Sequence, residues 1–211
     1  MRSYEQYCGL ARALDVVGER WSLLVVRELL EGPRRFNELA DGLPGVAPNL
    51  LAERLRNLEA KGVLVHRDDN RYELTEWGTG LHEAIYALGR WAGPLMVSRG
   101  AAAFRPQWLR HMVVARFEGF DPERKDLEVE VRFAGGEPMT LLSARGRVHL
   151  IAGPAQHPDV SVSGPPDGVA GLLGGRLTPA AARKRRVTIQ GDAALLTGLR
   201  PRTGYPGGLA S

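Results

Sequence analysis

The sequence predicts an α+β protein made of two parts. In the first part, residues 1–98, apolar residues recur with the helical period of about 3.6, and glycine or proline separates the helical segments. In the second part, residues 105–200, apolar and polar residues alternate along short segments, which is typical of a mostly antiparallel sheet with one buried face. Residues 99–106 are predicted to be the linker, and residues 201–211 a disordered tail.

The composition is that of a soluble globular protein, with 44% hydrophobic and 25% charged residues. No apolar run is long enough to cross a membrane, and the polar N-terminus does not resemble a signal peptide. We therefore expect a cytoplasmic protein without membrane contact. The single cysteine, Cys8, excludes an intramolecular disulfide and a metal site with several cysteines.

The formal net charge of +4 is unevenly distributed. Residues 1–100 hold 13 Lys and Arg against 14 Asp and Glu, a net charge of −1. The whole chain has 28 Lys and Arg and 24 Asp and Glu, so residues 101–211 hold 15 basic and 10 acidic residues, a net charge of +5. Nucleic-acid binding by the first part would therefore depend on locally clustered arginines and not on a broad positive field.

Two amphipathic helices are predicted before residue 33. The first covers residues 9–17 and has one apolar face, formed by Leu10, Ala13, Leu14 and Val17. The second covers residues 21–30 and ends at Gly32-Pro33. Its side chains predicted to point inward are Leu24, Val25 and Leu29.

The segment Arg34–Leu58 predicts two further helices joined by a tight turn. The first covers Phe36–Asp41, and Gly42 to Gly45 form the break, because glycine ends helices and proline cannot continue them. The second begins at Pro48, whose fixed φ suits a first helical turn, and ends near Lys61, before Gly62. Two helices with this connection indicate a helix-turn-helix, whose second helix is a candidate for the DNA major groove.

The second helix separates its residues by face. Leu51, Leu55 and Leu58 form one apolar stripe, and Asn49, Glu53 and Arg56 fall on the opposite side. Taken alone, this pattern is that of an ordinary amphipathic surface helix. The elements around it favour a recognition helix.

A β-hairpin, or wing, is predicted after this helix. Val63–Arg67 and Arg71–Thr75 are short strand-forming segments joined by the turn Asp68–Asn70. Thr75 is a predicted N-cap for a helix that covers residues 78–92. The order helix, helix, helix-turn-helix, wing and long helix is that of a winged helix-turn-helix domain.

Three motifs in this part resemble the HxlR-type regulators of the MarR-like group: ALDVVGERWSLLVVRELLEGPRRFNEL, LPGVAPNLLAERLRNLEAKGVL and YELTEWGTGL. The resemblance covers residues 7–95. It implies a homodimeric transcription factor that binds double-stranded DNA at a palindromic operator. It also implies that the first and last helices build the dimer interface.

The resemblance implies base reading by the helix Pro48–Asn57. Asparagine pairs bidentately with adenine and arginine with guanine, while Glu53 can accept from a cytosine amine or orient an arginine. Arg34 and Arg35 would hold phosphates, and Arg67 or Arg71 of the wing would approach the backbone or minor groove, unless Arg71 is only a solvated charge. The base-reading candidates are Pro48, Asn49, Ala52, Glu53, Arg54 and Arg56.

Cys8 departs from the family pattern, in which proline usually follows a cysteine near the N-terminus. Here Gly9 follows. Some relatives sense oxidants or electrophiles through that cysteine, so Cys8 is a candidate redox switch. The alternative is a cysteine packed near the dimer interface that behaves as a small apolar residue.

The second part predicts four strands, two helices, a strand and a closing helix. Its most regular strand, residues 127–133, alternates apolar and charged side chains. The further strands are expected at residues 139–143, 148–152, 160–162 and 187–190. The helices are expected at residues 166–177, 179–184 and 193–199, and a helix or strand at 108–117.

This order resembles the sterol carrier protein type-two-like fold over about residues 105–200. The resemblance is carried by the segment 158–162, by the helix 167–173 with Gly175, and by the segment 187–192. That family encloses an apolar tunnel, which implies a small hydrophobic effector here, although the same residues can also fill an ordinary core. The candidate tunnel residues are Trp108, Phe133, Leu142, Leu150, Leu172 and Leu173.

Arg183-Lys184-Arg185-Arg186 is a dense basic run. It is a candidate for contact with DNA beside the operator or with an acidic ligand, or it is a solvated helix end.

Enzymatic motifs are absent from the sequence. The five histidines have no metal-ligand spacing, and there is no G-x-S-x-G, P-loop or G-x-G-x-x-G motif. We therefore expect no catalysis, no metal and no cofactor. Two functions stay open: a ligand-responsive transcription regulator, and a carrier of small hydrophobic molecules whose winged helix serves protein interaction.

Overall fold

The computed structural model describes residues 3–92, 108, 127–144, 147–173 and 177–197. The chain divides into two compact units, Met1–Ile85 and Tyr86–Ser211. The predicted linker at 99–106 and the predicted tail at 201–211 lie outside the described residues, as does most of the segment 108–117. None of the described helices is long and apolar enough to span a membrane.

The N-terminal elements follow the predicted order, with one addition and one division. They are α1 (Gly9–Val17), α2 (Ser22–Leu29), β1 (Arg34–Arg35), α3 (Phe36–Gly42), α4 (Pro48–Ala60), β2 (Leu64–His66), β3 (Arg71–Leu74), α5 (Glu76–Thr79) and α6 (His82–Trp91).

The prediction of a single helix at residues 78–92 is wrong, because the chain forms two helices there, α5 and α6. Thr75 caps α5 as predicted, since its hydroxyl accepts a hydrogen bond from the N–H of Gly78 at 3.0 Å. Gly80 ends α5. Glycine is the weakest helix former apart from proline, so Gly78 and Gly80 together interrupt the predicted helix.

The core of the first unit surrounds α4. Leu51, Leu55 and Leu58 are fully buried, as predicted, against side chains of α2, α3 and β2. Burial of each such leucine contributes about 1.5–3 kcal/mol. Leu10 of α1 and Leu24 of α2 are exposed, so the inward position predicted for Leu24 is wrong.

The wing contains three strands in the order β1-β3-β2, all antiparallel. The hairpin β2–β3 was predicted, and Asn70 closes its turn with a positive φ of 61°. β1 was not predicted, because a strand of two residues has no readable periodicity. Its pairing places Arg34 opposite Tyr72 and Arg35 opposite Arg71.

The second unit is built on a five-stranded sheet in the order β6-β5-β4-β7-β8. Its β4 and β7 are parallel and its other pairs antiparallel, so the sheet is mixed. The connection from β6 to β7 carries the chain past β5 and β4, so that β7 lies beside β4 and runs parallel to it. The elements are β4 (Leu127–Phe133), β5 (Met139–Ala144), β6 (Arg147–Ala152), β7 (Val160–Gly164), α7 (Pro166–Leu173), α8 (Pro179–Lys184), β8 (Thr188–Gly191) and α9 (Ala194–Thr197).

One face of this sheet packs on the helices to form the second core. The alternation predicted for β4 is confirmed, since its four apolar side chains are buried with Val160 and Val162 of β7. Of the predicted helix 166–177, the described residues Pro166–Leu173 are helical, and Leu177 is not. Residues 174–176 lie outside the described residues.

Candidate nucleic-acid interface

The face of α4 opposite its leucine stripe points to solvent. Pro48, Asn49, Glu53 and Arg56 are exposed, and Ala52 is half-buried among them. Arg56 forms no hydrogen bond or ion pair within the part of the chain that the structure describes. Proline at the first helical position begins α4, as predicted. Five of the six candidate base-reading residues therefore share one accessible face of a helix whose other face is rigidly packed.

Arg54 lies apart from the other candidates. Its Nε donates to the carbonyl oxygen of Arg20 at 3.1 Å, and its guanidinium pairs with Glu19 and, at 3.0 Å, with Glu53. The Arg54 side chain is only 12% exposed. This placement argues against the predicted role of Arg54 in base reading, because its hydrogen-bonding capacity is directed at the segment between α1 and α2.

Two further polar residues, Asn57 of α4 and Lys61 directly after it, contact the same region, and the sequence patterns did not single them out. Asn57 donates from Nδ2 to Glu19 at 3.4 Å, and Lys61 donates from Nζ to the carbonyl oxygen of Asp15. Together with Arg54, they fix α4 along the end of α1 and the start of α2. No local signal reveals these contacts, since the partners are separated by 34 to 46 residues.

A cluster of arginines forms where β1 pairs with β3. Arg35 is exposed and lies opposite Arg71, and the adjacent Arg34 is half-buried. Glu38 accepts a hydrogen bond from the main-chain N–H of Arg35 at 2.7 Å. That bond, with the charges of Arg71, Arg34 and Arg35, holds the pKa of Glu38 below its ordinary value. The predicted phosphate contacts Arg34 and Arg35 thus lie beside Arg71, whose Nε is 3.8 Å from a carboxylate oxygen of Asp69.

At the tip of the wing, the positive charge of Arg67 is paired with nearby carboxylates. Arg67 pairs with Glu73 at 2.7 Å and with Asp69 at 3.5 Å. The hydrogen bond to Glu73 is the main reason why the pKa of Arg67 lies above its ordinary value. A phosphate would have to compete with these carboxylates, which weakens the predicted role of Arg67 in contacting DNA.

Cys8 is exposed at the N-terminal end of α1. The main-chain N–H groups of Ala11 and Leu10, in the first turn of α1, lower the pKa of the Cys8 thiol. The alternative of a cysteine packed near the dimer interface stays a prediction, since Cys8 is exposed in the single chain. Among the described residues, no group of three or more His, Cys, Asp or Glu is placed to hold a metal ion.

The predicted tunnel residues of the second unit do not all share one surface. Phe133, Leu172 and Leu173 are buried in its core, and Leu150 packs against them. Leu142 follows the fully buried Leu141 on β5, so its side chain points to the other face of the sheet. The prediction for Leu142 is thereby corrected, because the strand period of two decides which side chains reach the core. Trp108 is half-buried.

Two family models match the chain. One describes the HxlR-like helix-turn-helix and matches residues 16–98. The other describes the SCP-2 sterol transfer family and matches residues 122–201.

Known proteins similar to this chain align with its first part. YvaP of Bacillus subtilis is 36% identical over 88 residues, covering 38% of this chain and 81% of YvaP. YodB of the same organism is 33% identical over 86 residues, covering 38% of this chain and 77% of YodB. Both are named as HTH-type transcriptional regulators.

A crystal structure of quinone-bound YodB superposes on 40% of this chain and 96% of its own, with 33% identity and a TM-score of 0.38. The family assignment rests on the sequence matches. From these matches and from the winged helix-turn-helix, the chain belongs to the HxlR-like helix-turn-helix family and carries a domain of the SCP-2 sterol transfer type after it.

Proposed function

We propose that the protein is a homodimeric transcription regulator that binds double-stranded DNA at a palindromic operator through α4. The observation that carries this proposal is the exposed face of α4, where Asn49, Glu53 and Arg56 lie opposite the buried leucines. Asparagine and arginine are the side chains that read adenine and guanine in the major groove. We assign DNA binding and dimerisation to residues 1–98 and ligand binding to residues 105–200.

Phosphate contacts are assigned to the cluster of Arg34, Arg35 and Arg71. Since β1 and β3 are paired, Arg35 lies opposite Arg71, and all three arginines are close enough to Glu38 to lower its pKa. Phosphate contacts fix the register of the recognition helix without reading sequence. The near-neutral charge of residues 1–100 makes this local cluster the main source of attraction in the first unit.

Dimerisation is supported by exposed apolar side chains on α1 and α6. Leu10 is 70% exposed and Leu14 is partly exposed on α1, while Leu88 and the 64%-exposed Trp91 extend from α6. Large apolar side chains exposed in one chain mark candidate interfaces. Two copies of α4 in a dimer would meet half-sites about 34 Å apart, as palindromic operators require.

A footprinting and gel-shift experiment on the promoter beside the protein's own gene tests the proposal. We expect a protected site with two-fold symmetry, and specific binding that a scrambled duplex does not compete away. The scrambled duplex of equal length and composition is the control. Equal affinity for both duplexes at low salt would overturn base reading by α4.

We assign the effector function to the second unit, with a small hydrophobic molecule as ligand. Phe133, Leu150, Leu172 and Leu173 line one apolar region between sheet and helices. Native mass spectrometry of the purified protein tests this assignment by revealing a co-purified ligand. Phe133→Ala should then release the ligand, and a parent protein that carries and binds none would contradict the assignment.

Cys8 is a second candidate site through which DNA binding could be regulated, beside the ligand. Its exposure and its lowered pKa favour the thiolate, which is the reactive form. Alkylation of Cys8, followed by the gel shift, tests whether modification changes operator affinity. The Cys8→Ser variant should be insensitive to the same reagent, and equal loss of binding in both proteins would exclude this role.

The competing function is a carrier of hydrophobic molecules whose winged helix serves protein interaction. It predicts ligand transfer without sequence-specific DNA binding. The gel shift separates the two functions, because only a regulator discriminates operator from scrambled DNA.

A further inference from the structure

The end of α8 carries four consecutive exposed cations, Arg183, Lys184, Arg185 and Arg186, which we name the basic turn. The residues on either side, Ala182 and Val187, are buried in the core of the second unit. Within the part of the chain that the structure describes, the side chains of the basic turn form no hydrogen bond or ion pair. Their four positive charges therefore face solvent without a carboxylate partner among those residues.

The backbone of the basic turn has a defined shape. The N–H of Val187 donates to the carbonyl oxygen of Ala182 at 3.1 Å, and the N–H of Arg186 donates to that of Arg183 at 3.0 Å. This pair of hydrogen bonds is the Schellman helix ending, and the packing of buried Ala182 and Val187 accompanies it. The cations are thus held on an ordered helix end.

Arg186 occupies the position of this ending that favours glycine. Its φ is +63°, in the left-handed region that side chains rarely adopt. Glycine would fit that backbone with less strain, so the shape of the turn does not explain the fourth cation. The backbone conformation therefore does not require an arginine at this position.

The backbone of the basic turn also packs closely against Gly164 and Gly168. A Cβ added at Gly164 would lie 2.7 Å from the carbonyl oxygen of Arg186, and one added at Gly168 would lie 2.6 Å from a Val187 methyl. The end of β7 and the start of α7 therefore approach the turn closely. A surface already ordered in this way loses little backbone entropy when it binds a ligand.

We propose that the basic turn binds DNA phosphates outside the base pairs that α4 reads. The charge distribution favours this partner: residues 1–100 have a net charge of −1, and Arg54 and Arg67 are paired with carboxylates, whereas the remainder of the chain has +5. Lys and Arg contacts to phosphates supply most of the salt-dependent affinity for DNA. This inference rests on the proposed DNA-binding function and extends it to a second surface.

The experiment compares three full-length proteins on two duplexes. The neutral variant combines Arg183→Ala, Lys184→Ala, Arg185→Ala and Arg186→Gly. The matched control combines Arg183→Lys, Arg185→Lys and Arg186→Lys, which keeps every charge. The duplexes are the minimal operator and the same operator with random flanks, and affinity is measured by fluorescence anisotropy over a series of salt concentrations.

On the flanked operator, the slope of log affinity against log salt should become shallower in the neutral variant, by about 0.9 for each phosphate that it no longer neutralises. The lysine control should keep the slope of the parent, and on the minimal operator all three proteins should be equal. Thermal unfolding should show the lysine control close to the parent and the neutral variant at least as stable, since the altered side chains are exposed and glycine fits the φ of Arg186 with less strain.

An unchanged slope in the neutral variant on the flanked operator would overturn the inference. Binding to anionic phospholipid vesicles that is abolished in the neutral variant, without any change in DNA binding, would overturn it too and assign the turn to a membrane surface. A parent protein that does not distinguish operator from scrambled DNA would instead contradict the proposed function. The two failures are therefore separable.

Discussion

The Nε of Arg54 donates a hydrogen bond to the main-chain carbonyl oxygen of Arg20, 3.1 Å away. The same guanidinium pairs with Glu19, so one side chain of α4 holds two residues of the segment between α1 and α2. Arg56, two residues further along α4, is exposed. Two arginines that look alike in the sequence thus have different surroundings, which predict different consequences of substitution.

Arg54→Ala should destabilise the protein. The substitution removes a mostly buried guanidinium and leaves the Arg20 carbonyl and Glu19 without this donor, at a cost of about 1–3 kcal/mol in the free energy of unfolding. Urea denaturation measures the loss. Arg54→Lys should recover only part of it, because an ammonium cannot reproduce the planar donor geometry. Unchanged stability in Arg54→Ala would show that this interaction is energetically negligible.

Arg56→Ala should leave stability within about 0.5 kcal/mol of the parent, since the side chain is exposed. Its effect should fall on operator discrimination, with a loss of about 1–3 kcal/mol between the correct and the substituted base pair. A set of single-base operator variants measures this loss. Uniformly weaker binding to every variant would instead mean that Arg56 contacts phosphate.

The difference between these arginines also shows what the sequence can predict. Helical periodicity, proline at position 48 and the Thr75 cap are local signals, so α4, the wing hairpin and the start of α5 were predictable. The contacts of Arg54 and the pairing of β1 with β3 join residues far apart in the chain, and no local pattern encodes them. Periodicity likewise identified the apolar face of α1 but not whether that face is buried.

Gly78→Ala should be strongly destabilising. A Cβ at this position would lie 1.9 Å from the carbonyl oxygen of Val63, which is backbone and cannot rotate away. We expect a loss above about 2 kcal/mol, as for other overpacked core sites. Thermal unfolding measures it.

Gly89→Ala in α6 is the matched control. Apart from the neighbouring residues and backbone of α6 itself, no atom of the described residues lies within 4 Å of a Cβ added there. Alanine is also the better helix former by about 0.8–1.0 kcal/mol. This variant should be at least as stable as the parent. Equal stability of the two variants would contradict the close packing of Gly78 on Val63.

Leu10→Glu should convert the proposed dimer to a monomer without unfolding it. Leu10 is already exposed in the single chain, so the charge has no folding cost there, but it would be buried in a dimer built on α1. Sedimentation velocity measures the oligomeric state and circular dichroism the fold. Ile151→Glu, at an exposed apolar position on β6, is the control and should remain dimeric. A parent-like dimer in Leu10→Glu would exclude α1 from the interface.

Asp15 should contribute stability that disappears in acid. Its carboxylate accepts hydrogen bonds from the N–H of Tyr4 at 2.9 Å and from the Ser3 hydroxyl at 2.8 Å, and these bonds lower its pKa. A carboxyl group whose pKa is lower in the folded than in the unfolded state stabilises the fold above its unfolded pKa, about 3.9. That stabilisation is lost as the pH falls through the lower, folded pKa.

Asp15→Asn should therefore be less stable than the parent at neutral pH, and the difference should shrink below about pH 4, as the parent carboxyl becomes protonated. Urea denaturation over a pH series measures it. Asp41→Asn, at another exposed carboxylate of the first unit, tests whether the effect is specific to Asp15. A stability difference between Asp15→Asn and the parent that is constant from neutral pH into acid would contradict the prediction, because it would not follow the titration of Asp15.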